Sequence, residues 1–183
     1  MGEKMKNKES IRKTALSAMF IAIGMVLPFL TGQIPEIGNL LLPMHIPALL
    51  CGYICGAPWG FAAGFLMPVL RSLIIGFPAP FFPRAIAMAF ELATYGFLAG
   101  LLYRRLLPQK KYSIYLSLAI SMVAGRIVWG IVQLICAGFD FQKFNLSIFW
   151  AGAFAEAIPG IVLQFALIPV IILIFDKNKF FKK

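Results

Sequence analysis

The chain has 183 residues, 61% of them apolar and only 13% charged, with a formal net charge of +10. A water-soluble domain of this length is about half apolar and a quarter charged, so the composition excludes one. At a mean hydropathy of +0.87 and roughly 20 residues per crossing, the chain predicts an all-α membrane protein. It forms a single transmembrane domain over residues 1–183, with about six spans and no room for a soluble domain.

The basic N-terminal tail (Lys4, Lys6, Lys8, Arg12, Lys13) runs into the first apolar segment, 11–30. That run reaches Pro28 without a small-residue cleavage site, which argues against a signal peptide. A polar loop with Gly and Pro follows, then spans 43–56 and 58–76, parted only by the tight turn at Gly56-Ala57-Pro58. The fourth span covers 83–107, after a loop rich in Pro and Phe. Arg104, Arg105, Lys110 and Lys111 form the next connection. Spans 112–137 and 146–175 complete the six, and Lys177, Lys179, Lys182 and Lys183 close the chain. Thirteen of the seventeen Lys and Arg thus lie in three short segments flanking apolar runs. That is the positive-inside pattern and not a nucleic-acid surface, and it puts both termini on the cytoplasmic side of a cell membrane. Runs of 20 apolar residues without period-two alternation exclude a barrel.

Small residues recur at helical spacing. Thr14, Ala18 and Ala22 make a stripe on the first helix, Gly60 and Gly64 one on the third, Gly96 and Gly100 one on the fourth. Stripes of this kind let helix backbones approach closely in lipid. The glycine pairs read as packing inside the bundle, whereas the first-helix stripe begins beside the cytoplasmic surface, where a partner subunit could dock. Cys51, Cys55 and Cys136 all sit in apolar runs and read as small buried hydrophobes.

Outside the flanking clusters, His45, Arg71, Arg84, Glu91, Arg126 and Glu156 interrupt the apolar runs. A charge at mid-membrane costs about 2.5 to 3.5 kcal/mol, so such groups pair or face a cavity. At about 1.5 Å per residue, Glu91 lies roughly 10 Å inward of Arg84, and Tyr95 roughly 16 Å. Arg84, Met88, Glu91 and Tyr95 share one helix face. Glu156 stands on the sixth run, and Arg126 lies on the fifth about 21 Å above Tyr112, with Trp129 and Gln133 above it on the same face. All six ionisable residues fall in the outer or middle membrane, which predicts an outward-facing polar pocket. The opposing reading makes them structural ion pairs, Arg126 with Glu91 or with Glu156, and His45 a structural residue. Phosphate loops, H-E-x-x-H and G-x-S-x-G motifs and metal-ligand spacings are all missing, so no catalytic centre, metal or cofactor is expected. A pocket without an engine needs a partner.

With these features the chain resembles the substrate-binding S components of energy-coupling factor (ECF) transporters, the vitamin-uptake branch of the ABC transporters. The resemblance rests on its size, the six spans, the segment Thr14-Ala-Leu-Ser-Ala-Met-Phe-Ile-Ala22 after a basic tail, and residues 45–61. The latter, from His45-Ile-Pro to Trp59-Gly-Phe61, is similar to the I-P-x-x-x-x-G-x-x-x-G-P-x-x-G pattern of the riboflavin-type branch, with Gly56-Ala57-Pro58 departing in part from Gly-Pro. The resemblance implies a six-helix S-component bundle whose first helix docks through Ala15, Ala18 and Ala22 on a transmembrane coupling subunit. It also implies two ATPase subunits, a toppling motion that carries the substrate inward, and an external pocket on helices four to six lidded by residues 31–42. Arg84, Glu91, Tyr95, Arg126, Trp129, Gln133 and Glu156 are then the substrate-binding candidates. Counting Arg71, Arg84 and Arg126 against Glu91 and Glu156 leaves one positive charge in the pocket, which disfavours a cationic vitamin. A vitamin B6 compound fits, its ring on Trp129 or Tyr95, its hydroxyls on Gln133 and Arg, its pyridine nitrogen on a carboxylate. Pantothenate, riboflavin or another micronutrient are alternatives. An intramembrane enzyme acting on a lipid-like substrate, which would turn over alone, and a purely structural subunit are the readings from other classes.

Overall fold

A computed structural model describes residues 2–30, 42–75, 84–106, 111–139, 145, 149–151 and 157–177. Among these residues the chain is helical, with no strand. Its main helices are α1 (Gly2–Leu30), α2 (His45–Cys55), α3 (Ala57–Ile75), α4 (Arg84–Leu101), α5 (Lys111–Cys136) and α6 (Ile158–Lys177), and α4 runs on into a π-helical turn, Leu102–Leu106. α1, α3, α4, α5 and α6 each contain a stretch long and apolar enough to cross a membrane. α1 starts inside the basic tail, and its 29 residues reach about 43 Å, beyond a roughly 30 Å hydrocarbon layer. Near its start a Glu9–Lys13 ion pair of 2.7 Å spans one turn. α6 begins later than its apolar run, at Ile158, with Pro159 in the first turn, where a missing N–H costs nothing.

The two faces of α5 differ in residue type. On α5, Ser113, Ser117, Ser121 and Gly125 are buried, while Ile120, Val123, Ile127, Ile131 and Ile135 are exposed. Large apolar side chains pointing outward and small or hydroxyl residues pointing inward suit a hydrocarbon surround, where helices gain nothing by hiding leucine and associate through close packing and hydrogen bonds.

α2 is the hub. Its 11 residues span only about 16 Å and every one is buried. The helix is short because it ends at Gly56, whose φ of +103° suits glycine alone, so that α3 starts one residue later. The exposed carbonyls of its last turn are met by Arg104, which donates from Nε to Tyr53 O (3.0 Å) and from Nη2 to Ile54 O. The Tyr53 hydroxyl crosses to α5, donating to Ile114 O (3.1 Å) and sharing a hydrogen bond with Ser117 Oγ (2.8 Å). Cys51 Sγ donates to Ser17 Oγ on α1 at 3.4 Å.

Glycines bring α2, α3 and α4 together. A Cβ at Gly52 or Gly60 would strike the Gly96 carbonyl, one at Gly64 the Leu92 carbonyl, and one at Gly100 the Ala57 nitrogen. The glycine stripes of the third and fourth helices are therefore internal packing faces. Because the obstructing atoms are backbone, they cannot step aside as a side chain tip would. Gly96→Leu should consequently cost more than the 1 to 3 kcal/mol, roughly, of ordinary overpacking. The thermal unfolding temperature of the detergent-solubilised protein should fall well below that of Ala62→Leu, a change on the exposed face of α3. Equal unfolding temperatures would contradict the seam.

Candidate functional site

Polar side chains from three helices meet at one carboxylate. Glu91 and Tyr95 stand one turn apart on α4, Arg126 faces them from α5, and His45 is the first residue of α2. Arg126 Nη1 lies 3.0 Å from Glu91 Oε1, and the Tyr95 hydroxyl donates to the same oxygen at 2.8 Å. His45 Nε2 is 3.5 Å from that oxygen, with its ring centroid 5.4 Å from that of Tyr95. Gly125 lets the arrangement close, since a Cβ there would run into the Tyr95 ring. His45 is 1% exposed, Glu91 2% and Arg126 5%.

Burial makes this centre costly to disturb. Two charges removed from water are tolerated only when they pair and their remaining valences are met. The pair Glu91–Arg126 sums to zero, and Tyr95 adds a neutral donor. Even so, Arg126 Nε and Nη2 and both ring nitrogens of His45 have no hydrogen-bond partner among the described residues. Gln164 on α6 is fully buried with neither end of its amide partnered among those residues. It shares the inward face of α6 with Ile168 and Ile172, which belong to the same core as Tyr95. A natural interior satisfies most buried polar atoms, so these unmet donors and acceptors are unusual among the described residues.

Of the residues expected from the sequence, the structure brings Glu91, Tyr95 and Arg126 into direct contact. Arg84 is exposed at the start of α4 and forms no ion pair among the described residues. Trp129 is half-buried, with its ring 6.2 Å from that of Phe149, and Gln133 is half-buried on the same helix. Glu156 lies outside the described residues, as does nearly all of the proposed lid, residues 31–41. His45, expected to be structural, belongs to the centre. Its sequence gave no carboxylate neighbour, because Glu91 is 46 residues away and meets it only through the packing of α2 on α4. Gln164 escaped notice as a neutral residue in a long apolar run.

Residues 12–172 match a family described as ECF transporter, substrate-specific component. The chain belongs to this family. No curated protein and no solved structure matches it. As an S component it is a multi-pass membrane protein that binds a small-molecule substrate of the vitamin or micronutrient class and associates with the coupling and ATPase subunits of an ECF module. It is a substrate-binding transport subunit and not an enzyme, ATP being hydrolysed in the partner subunits. The intramembrane-enzyme reading therefore falls.

Arg71, counted with the pocket charges in the sequence, makes its contacts on α1. Arg71 of this S component donates from Nη1 to the Met25 carbonyl on α1 at 3.1 Å, and its guanidinium lies 5.5 Å from the centroid of the Phe29 ring. It clamps α3 to α1 instead of contributing a positive charge to the Glu91 centre. Arg71→Ala should remove a charge-assisted hydrogen bond worth about 1.5 to 3 kcal/mol and lower the unfolding temperature, with substrate affinity changed less than about twofold. A loss of affinity without a loss of stability would return Arg71 to the site.

Proposed function

We propose that this S component captures a water-soluble vitamin at the outer side of a bacterial plasma membrane and delivers it through an ECF module. In this reading the chain makes six crossings in a riboflavin-transporter-like bundle with both termini cytoplasmic, α2 being the short one. The observation that carries the proposal is the buried centre of His45, Glu91, Tyr95 and Arg126, a polar cluster with donors to spare inside a bundle whose outer surface is apolar. Arg84, Trp129, Gln133 and Glu156 complete the binding set around it. Ala15, Ala18 and Ala22 form the docking stripe for the coupling subunit. In support, all three are exposed on α1. Beside them Ala22, Ile23, Val26 and Leu27 line a shallow apolar groove.

The residue types support a vitamin B6 compound, with its ring on Tyr95 or Trp129 and its hydroxyls on Gln133 and Arg126. One observation favours a second reading, an acidic vitamin such as pantothenate. Oε1 of Glu91, the carboxylate that would hold a pyridine nitrogen, already accepts from Tyr95 and pairs with Arg126.

Native mass spectrometry of the purified chain should show a retained adduct of vitamin mass, and Ala18→Trp should keep that adduct while abolishing uptake in cells, because bulk on a small-residue face separates helices without reaching the centre. Loss of the adduct in Ala18→Trp would mean that the stripe packs internally. Absence of any adduct, together with no binding from a panel of vitamins, would defeat the functional reading.

A further inference from the structure

The guanidinium of Arg126 is planar, with donors on two edges. Glu91 takes a single nitrogen, Nη1. Nε and Nη2 lie together on the other edge, fully buried and without a partner among the described residues. Two parallel N–H donors on one rigid edge match the spacing of two oxygens on one carbon, which is why arginine recognises carboxylates side-on, and lysine, a point charge, does not. A lone hydroxyl or ring nitrogen would satisfy only one of the two donors and leave the other buried and unmet.

We propose that the substrate carries a carboxylate, seated in the plane of Arg126 on its Nε/Nη2 edge. The proposal rests on the vitamin-binding reading above and narrows it to acids. Charge sets a condition on that seat. Glu91 and Arg126 cancel, so an incoming carboxylate makes the centre negative unless a further proton or cation compensates. His45 is the group placed to do so: its ring is within 3.5 Å of Glu91 Oε1, and both its nitrogens are free of hydrogen bonds among the described residues. The groups facing it are Glu91, Arg126 and Tyr95. A protonated His45 beside the bound acid restores neutrality. Binding of the acid is thereby accompanied by proton uptake at this centre.

The test uses the full chain in detergent and four probes: nicotinate and pantothenate as acids, nicotinamide and pyridoxine as compounds lacking a carboxylate. Titration calorimetry should find an acid binding more tightly than either neutral compound. Removal of a charge-assisted pair of hydrogen bonds should weaken binding roughly 10-fold to 150-fold, so nicotinamide should trail nicotinate by that factor if nicotinate binds. Arg126→Lys retains a positive charge for Glu91 but has no paired edge, and it should erase the preference for acids while the protein still folds. Calorimetry in two buffers of different ionisation enthalpy should show proton uptake on acid binding. Tighter binding of pyridoxine or nicotinamide than of either acid would overturn the carboxylate assignment and leave the vitamin site standing. If neither these probes nor any of the wider vitamin panel binds, the vitamin reading fails and takes this proposal with it; if only a vitamin without a carboxylate binds, this proposal alone fails.

Discussion

The carboxylate of Glu91 constrains everything around it. An ionised carboxylate in a medium of low dielectric constant is tolerated only beside a compensating charge. Arg126 supplies that charge at 3.0 Å, so α4 and α5 must meet at this level and in this rotation. The hydroxyl of Tyr95 occupies the same oxygen, and its ring needs the open backbone of Gly125 to lie against α5. His45 then fixes where α2 begins relative to α4. A polar contact a few ångströms across thus joins the glycine seams in setting the register of three helices.

Those seams have a different physical basis. Lipid offers apolar side chains as good an environment as the protein interior does, so the bundle gains stability from backbone approach and hydrogen bonds. Gly52, Gly60 and Gly96 remove the atoms that would hold α2, α3 and α4 apart. Ser117 and Ser121 sit on the buried face of α5 because their hydroxyls find backbone and tyrosine partners there. Arg104 closes the inner end of α2, so the short helix can stop inside the bundle without bare carbonyls. The exposed small residues of α1 stand outside this scheme.

The glycine faces, the helical class and the meeting of Glu91 with Arg126 were legible because they follow from periodicity and arithmetic. Glu91 lies about 10 Å from one side and Arg126 about 21 Å from the other, which in a layer of roughly 30 Å places them level. His45 was not legible as part of the centre, since its nearest charged neighbour lies on a distant helix, and no local spacing announces that contact. Arg71 misled for the opposite reason. Its depth suggested the pocket, but depth says nothing of azimuth, and its face of α3 turns to α1. Arg104 read as one more inside charge, although its hydrogen bonds are those of a helix cap. Gln164 carries no charge and so raised no alarm, even though an amide buried without partners is as unusual as a lone ion.

The account's central claim is that Glu91 and Arg126 act as one unit that both locks the helices and presents a binding edge. A double-mutant cycle with Glu91→Gln, Arg126→Gln and the combined variant, read by thermal unfolding and by vitamin affinity on the same samples, tests it most directly. Each single change strands a buried partner at about 3 to 5 kcal/mol, so each should depress the unfolding temperature strongly. The double variant should recover most of that stability and still fail to bind. Additive losses of stability, or a double variant that binds as the unaltered protein does, would contradict the claim.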